Sequence, residues 1–188
     1  MDAFSYLSVL ISIVLGLALA SLLTGFAAMV RARARINFYW PLGAQMALLF
    51  LVQVQIWWAL FSLRELSHWS FPGFLVVLMQ AVLIYLATAI LVPDIRDGER
   101  IDLKACYFRE ARWYFATILV AVLDSLVKNL VLTGRLQHGA DLAGHAAFAA
   151  LCIAGIVTRR EIAHKIIAPA ALLAYAAYIS LLFVSLPG

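Results

Sequence analysis

AFSYLSVLISIVLGLALASLLTGFAAMV, residues Ala3 to Val30, contains no Asp, Glu, Lys or Arg. About 20 apolar residues in a helix cross the ~30 Å of hydrocarbon in a bilayer, at 1.5 Å of rise per residue. The run is therefore long enough to span, with tilt or emergent helix ends absorbing the excess. It is too long for the ~7–15-residue apolar region of a secretory signal, and no basic residue precedes it, so it reads as a retained first span. Two further runs free of the same four residues follow, Ile36–Leu63 and Leu66–Pro93.

The rest of the chain extends the pattern. Apolar residues make up 65% of the sequence and charged residues 13%, where soluble domains run near ~45–50% and ~25%. A soluble fold of this length could not bury so much apolar surface. Open sheet cannot stand in lipid and the runs lack the alternation of barrel strands, which leaves helices. The expected architecture is an all-α integral membrane protein, one transmembrane domain over 1–188, with spans near 4–30, 38–63, 69–93, 113–134, 140–158 and 166–186. Only the connection Asp94–Arg112 has any length; Pro93-Asp94 and Asp97-Gly98 mark a turn, and Asp102 is placed to cap a helix leading into the fourth span. Pro187-Gly188 stop the sixth.

Orientation follows from the loops. Lys and Arg number eleven in the first, third and fifth connections and two in the second and fourth, Arg64 and Arg135. The positive-inside rule then puts the odd loops in the cytoplasm and both termini on the other side, with Asp2 in agreement. The net charge of +4 is thus an orientation signal and does not point to nucleic acid. A bacterial inner (cytoplasmic) membrane is the expected location. Residues 1–93 and 102–188 would have opposite topology, the geometry of inverted-repeat transporters, without visible similarity between the halves.

Polar residues inside the spans are the candidates for function. Asp124 and Lys128 lie four apart on the fourth span, so they share a helix face and are expected to neutralise each other. Glu110, Thr117 and Arg135 fall within about 40° of that face. Gln53 shares a face of the second span with Trp57 and Arg64, while Gln55 points nearly opposite. The expected polar path is Asp124, Lys128, Thr117 and Gln53. The motif Leu123-Asp124-x-x-x-Lys128 resembles the retinal-lysine helix of microbial rhodopsins, but that family carries it on the last of seven helices and this chain on the fourth of six. The resemblance covers one helical segment and brings no cofactor with it.

In the first span Ser8, Ser12, Gly16, Ala20 and Thr24 place a small residue at every fourth position, which lets two helix backbones approach. Ser8, Ser12, Gly16 and Ala20 are the expected interface of a homo-oligomer. Tyr39, Trp40, Trp69, Trp113 and Tyr114 fit the aromatic belts at the membrane surfaces, and Lys104, Tyr107, Phe108, Arg109 and Arg112 an interfacial stretch against lipid headgroups. Glu65-x-x-His68 and His138-x-x-Asp141-x-x-x-His145 have helix-compatible ligand spacings, though Gly139 and Gly144 weaken the helix there. Neither a metal nor an organic cofactor is expected, and Cys106 and Cys152 read as free thiols. No span end presents an evident nucleophile–base pair, so the reading leans away from an enzyme.

Two functions fit this inventory. One is an oligomeric channel or transporter for an ion or small solute, using the polar stripe of the fourth helix. The other is a non-catalytic membrane subunit or scaffold that binds other membrane proteins. Membrane lipids are partners in either case.

Overall fold

The computed structural model describes residues 3–66, 68–95 and 100–182. Asp2, Arg96, the Asp97-Gly98 turn, Glu99 and the Pro187-Gly188 end lie outside the described residues. Six helices account for most of the rest: α1 (Ala3–Arg31), α2 (Trp40–Leu60), α3 (Phe71–Leu91), α4 (Leu103–Thr133), α5 (Gly139–Val157) and α6 (Glu161–Leu182). Each is long and apolar enough to cross a membrane.

Local sequence explains where they begin and end. The Ser70 hydroxyl accepts from Gly73 N at 3.1 Å and caps α3, with proline in the first turn. The Asp102 carboxylate accepts from Lys104 N at 2.9 Å and Ala105 N at 3.4 Å, satisfying donors that the first turn of α4 leaves free. At the other end of α4, Gly134 takes φ 69°, a left-handed conformation that a β-carbon disfavours. α6 begins at Glu161, five residues before the expected 166. Its charged first turn is held at the surface by Lys104 and Lys165, both bonded to the Glu161 carboxylate.

A short parallel bridge departs from the all-helical expectation: β1 (Ile36–Asn37) pairs with β2 (Ile101–Asp102), Ile36 opposite Ile101. It lies in the connections, where helix geometry is not enforced, and two residues are too few to show an alternating pattern. The bridge ties the first connection to the third at the end of the bundle that carries Arg31, Arg159 and Arg160. This is called the basic end below, and the end where α1 starts and α6 finishes the terminal end.

Helices α2 to α6 form a ring in which α2 meets α3, α3 meets α4, α4 meets α5, α5 meets α6, and α6 returns to α2. α1 stands outside the ring against α3 and α2. It packs through Ile11, Leu15, Ala18, Leu22, Gly25 and Met29, spaced alternately by four and three residues on one stripe, and leaves Val9, Ile13, Leu17 and Phe26 exposed as lipid requires. Close approach of α4 and α5 depends on Gly155: a β-carbon there would lie 2.5 Å from the Phe115 ring.

Two aromatic expectations are corrected. Tyr114 is fully buried and its hydroxyl donates to Gln45 Oε1 at 3.0 Å, so it needs no water at a membrane surface. Tyr39 and Tyr107 are likewise buried and pack with Phe108 in tilted and edge-on contacts, with ring centroids 5.4 to 6.0 Å apart. Trp40 and Trp113 are exposed, as a belt residue would be.

Candidate functional site

Inside the ring of five helices, toward the terminal end, is a cavity of about 320 Å³. That is the low end of the ~300–1,000 Å³ range of small-molecule sites. Val52, Ile56, Ile84 and Ile118 form an apolar floor near the middle of the bundle. Gln55, Gln80, Ser125, Lys128, His145 and Tyr178 make the walls polar above it, and Leu63, Gln137 and Asp141 line it where it reaches the terminal end.

The walls are held by bonds between helices. Lys128 Nζ on α4 donates to Gln80 Oε1 on α3. Tyr175 on α6 donates to Gln55 Oε1 on α2 at 3.0 Å. Tyr178 donates to Asp141 Oδ1 at 2.9 Å, and Gly144 makes room, since a β-carbon there would sit 3.1 Å from the Tyr178 ring. His145 Nε2 lies 3.1 Å from Ser125 Oγ, and its Nδ1 lies 2.8 Å from the Asp141 carbonyl and 3.2 Å from Asp141 Oδ1. Gln137 donates to the Ser125 carbonyl at 3.1 Å, is only 8% exposed, and has no partner for its own Oε1.

The basic half of the ring also has polar groups, and there the described ones are packed among aromatic rings. His164 is 1% exposed, bonded through Nδ1 to the Tyr107 hydroxyl at 2.9 Å and through Nε2 to the Thr158 carbonyl at 3.0 Å. The rings of Phe108 and Phe115 close over it. Beside it the Tyr39 hydroxyl, just before α2, is pushed up to about 12 by burial and then by the negative charge of Glu161, so it stays neutral.

The structure disperses the expected polar path. Lys128 lines the cavity, but Asp124 does not, and no ion pair within 4.0 Å joins them; Asp124 Oδ2 is buried without a hydrogen-bond partner. The reason is geometric: the Lys128 chain reaches across to Gln80 on α3 instead of back along its own helix. Thr117 donates to the Trp113 carbonyl at 2.9 Å and stays on α4. Gln53 belongs to another place, bonded to Thr88 Oγ1 at 3.0 Å, and it is Gln55 on the opposite face that meets the cavity.

Gln53 instead lines a groove of about 290 Å³ between α1 and α2, with Ser12, Leu15, Gly16 and Trp57. The Thr88 hydroxyl spends its proton on the Ile84 carbonyl at 2.8 Å, so it accepts from Gln53 Nε2, and Gln53 Oε1 is left without a partner. Of the stripe on α1, Ser12, Gly16 and Ala20 are exposed and Ser8 half-buried; a β-carbon at Gly16 would meet nothing within 4 Å.

Ser125, Gln80, Tyr175 and Tyr178 were not legible as site residues. The spacing of Asp141 and His145 was, but as a metal ligand pattern. Among the described residues no group of three or more His, Cys, Asp or Glu side chains is placed to hold a metal ion. Compared with known proteins, the chain matches no family, no curated protein and no solved structure.

Proposed function

We propose that this membrane protein takes a small polar solute into the ring from the terminal end and passes it across the bilayer as a transporter. The observation that carries this reading is the cavity itself: polar side chains from α2 to α6 converge on open space in one half of the bundle. The other half is plugged by Tyr107, Tyr114, Phe115 and His164, all buried. A site open toward one end and packed at the other suits alternating access better than a standing channel. Lys128 is bonded to a neutral amide, and among the described residues no carboxylate forms an ion pair with it, which favours a solute bearing an anionic or carbonyl oxygen.

Under the loop-charge rule the basic end lies in the cytoplasm and the cavity faces outward, in a bacterial inner membrane. The test is uptake by purified protein in liposomes, with a panel of small labelled carboxylates and neutral polar solutes. Saturable uptake of one class, reduced at least ~10-fold by Lys128→Gln, is the expected result. Uptake no faster than in protein-free liposomes for every class would sink the reading.

The alternative, a subunit or scaffold that associates with itself or with other membrane proteins, draws on a different observation. The small stripe of α1 faces away from its own bundle, beside a groove where Gln53 Oε1 has no partner. Disulfide crosslinking between Ser12→Cys chains, in a variant lacking Cys106 and Cys152, reads association through that face.

A further inference from the structure

Within the helices the hydroxyl of Ser125 bonds differently from those of Ser8, Thr88, Thr117, Thr133 and Ser180, which all donate to backbone carbonyls. Thr88, Thr117, Thr133 and Ser180 each donate to the carbonyl four residues back, at 2.7 to 2.9 Å, the ordinary fate of a helical hydroxyl in a medium without water. Ser125 Oγ instead meets His145 Nε2 on the neighbouring helix at 3.1 Å. The far nitrogen of that imidazole faces two acceptors, the Asp141 carbonyl at 2.8 Å and Asp141 Oδ1 at 3.2 Å. Neither can donate, so the ring proton of neutral His145 sits on Nδ1. Nε2 then presents a lone pair to the serine, the arrangement a general base needs.

The carboxylate is itself fixed, because Tyr178 donates to the same Oδ1 at 2.9 Å. Ser125, His145 and Asp141 all line the cavity, so reactant and water can reach them. We infer that Ser125, His145 and Asp141 are the nucleophile, base and orienting group of an acyl-transfer site, acting on the ester of a small amphipathic carboxylic acid. This activity does not rest on translocation, and needs only that the cavity be occupied.

The surroundings suit that substrate. Val52, Ile56, Ile84 and Ile118 offer the acyl chain an apolar floor. Lys128 lies three residues beyond Ser125 on the same helix and lines the same cavity, a cation for the oxygen that becomes negative. Gln137 donates to the Ser125 carbonyl at 3.1 Å and so steadies the backbone beside the serine.

The steps balance as follows. Ser125 Oγ bonds to the acyl carbon while its proton passes to His145 Nε2, and the carbonyl π pair moves onto oxygen. That pair returns as the carbon–oxygen bond to the alcohol breaks, and the alcohol leaves with the proton from Nε2. Water then attacks the acyl-serine, giving its proton to Nε2, and Ser125 Oγ departs carrying that proton. Ester and water become carboxylic acid and alcohol, with the protein regenerated.

A fluorophosphonate probe tests this on the purified full-length chain in detergent. The expected result is one adduct per chain by intact mass, mapped by peptide sequencing to Ser125. Ser125→Ala should abolish it, and His145→Gln should slow it by about 100-fold or more. Absence of an adduct on folded wild-type protein, or an adduct on another residue, overturns the inference whether or not either variant folds. So does labelling at Ser125 that proceeds equally fast in folded His145→Gln, which would leave the histidine only bridging α4 to α5.

Discussion

His145 and His164 lie toward opposite ends of one bundle, and each has a partner at both ring nitrogens. What differs is the space around them. His164 is enclosed by Tyr107, Phe108 and Phe115, and its hydrogen bonds join α4 to the start of α6. His145 stands at the edge of a cavity, with a hydroxyl on one nitrogen and a carboxylate held by tyrosine near the other. An ionisable residue within a span is thus weak evidence of function until the volume beside it is known. Filled, it is a fastener; unfilled, it is a place for something else to bind.

The contrast can be broken most forcefully at the closed end. His164→Ala should cost about 3–5 kcal/mol, from the void it leaves and from Tyr107 and Thr158 losing a buried partner. Thermal unfolding in detergent reads this, and a variant as stable as wild type would mean the cluster is not tightly packed. Next in size is Gly155→Ala, which drives a methyl into Phe115; overpacking of this kind costs about 1–3 kcal/mol. An unchanged melting temperature there would show that α5 shifts freely along α4.

At the open end, Tyr178→Phe removes one hydrogen bond and should cost about 0.5–1.5 kcal/mol. Its larger effect should be on fluorophosphonate labelling, which slows as Asp141 loses its anchor. Equal labelling by both forms would show that the tyrosine plays no part in positioning it. Smallest is Gly16→Leu. A side chain there points into open space, so monomer stability should stay within about 0.5 kcal/mol. Only association between copies should weaken, and crosslinking reads that directly.

The six apolar helices were legible because lipid imposes one rule over the whole length of a span. Asp102 was legible as a cap because its carboxylate serves backbone groups two and three residues away. The site was not, because apart from the Asp141–His145 contacts within α5 the bonds that build it join residues far apart in the chain. Gln53 and Gln55 show the difficulty: helical periodicity says correctly that they point apart, yet nothing in the chain says which of them faces the ring. Lys128 was picked out with Asp124 because spacing is all a sequence offers; their charges do act on each other, but the hydrogen bond of Lys128 goes to Gln80, 48 residues away. Tyr39 and Tyr114 misled for the same reason, since aromatic residues near a span end look alike whether they face lipid or pack inside the bundle.

The place of α1 outside the ring bears on how the protein is made. During synthesis α1 enters the bilayer before α3, the helix it leans on most, has been translated. Until α3 arrives, the stripe from Ile11 to Met29 has only α2 and lipid to face. The segment tolerates that wait because it carries no ionisable side chain from Ala3 to Val30 apart from the phenol of Tyr6. α4 could not wait in the same way, because Asp124 and Lys128 would stand in hydrocarbon. It is made after α3, so Gln80 is already in place when Lys128 enters the membrane. The order of helices along the chain thus gives Lys128 a neighbour to receive it as soon as it enters the bilayer.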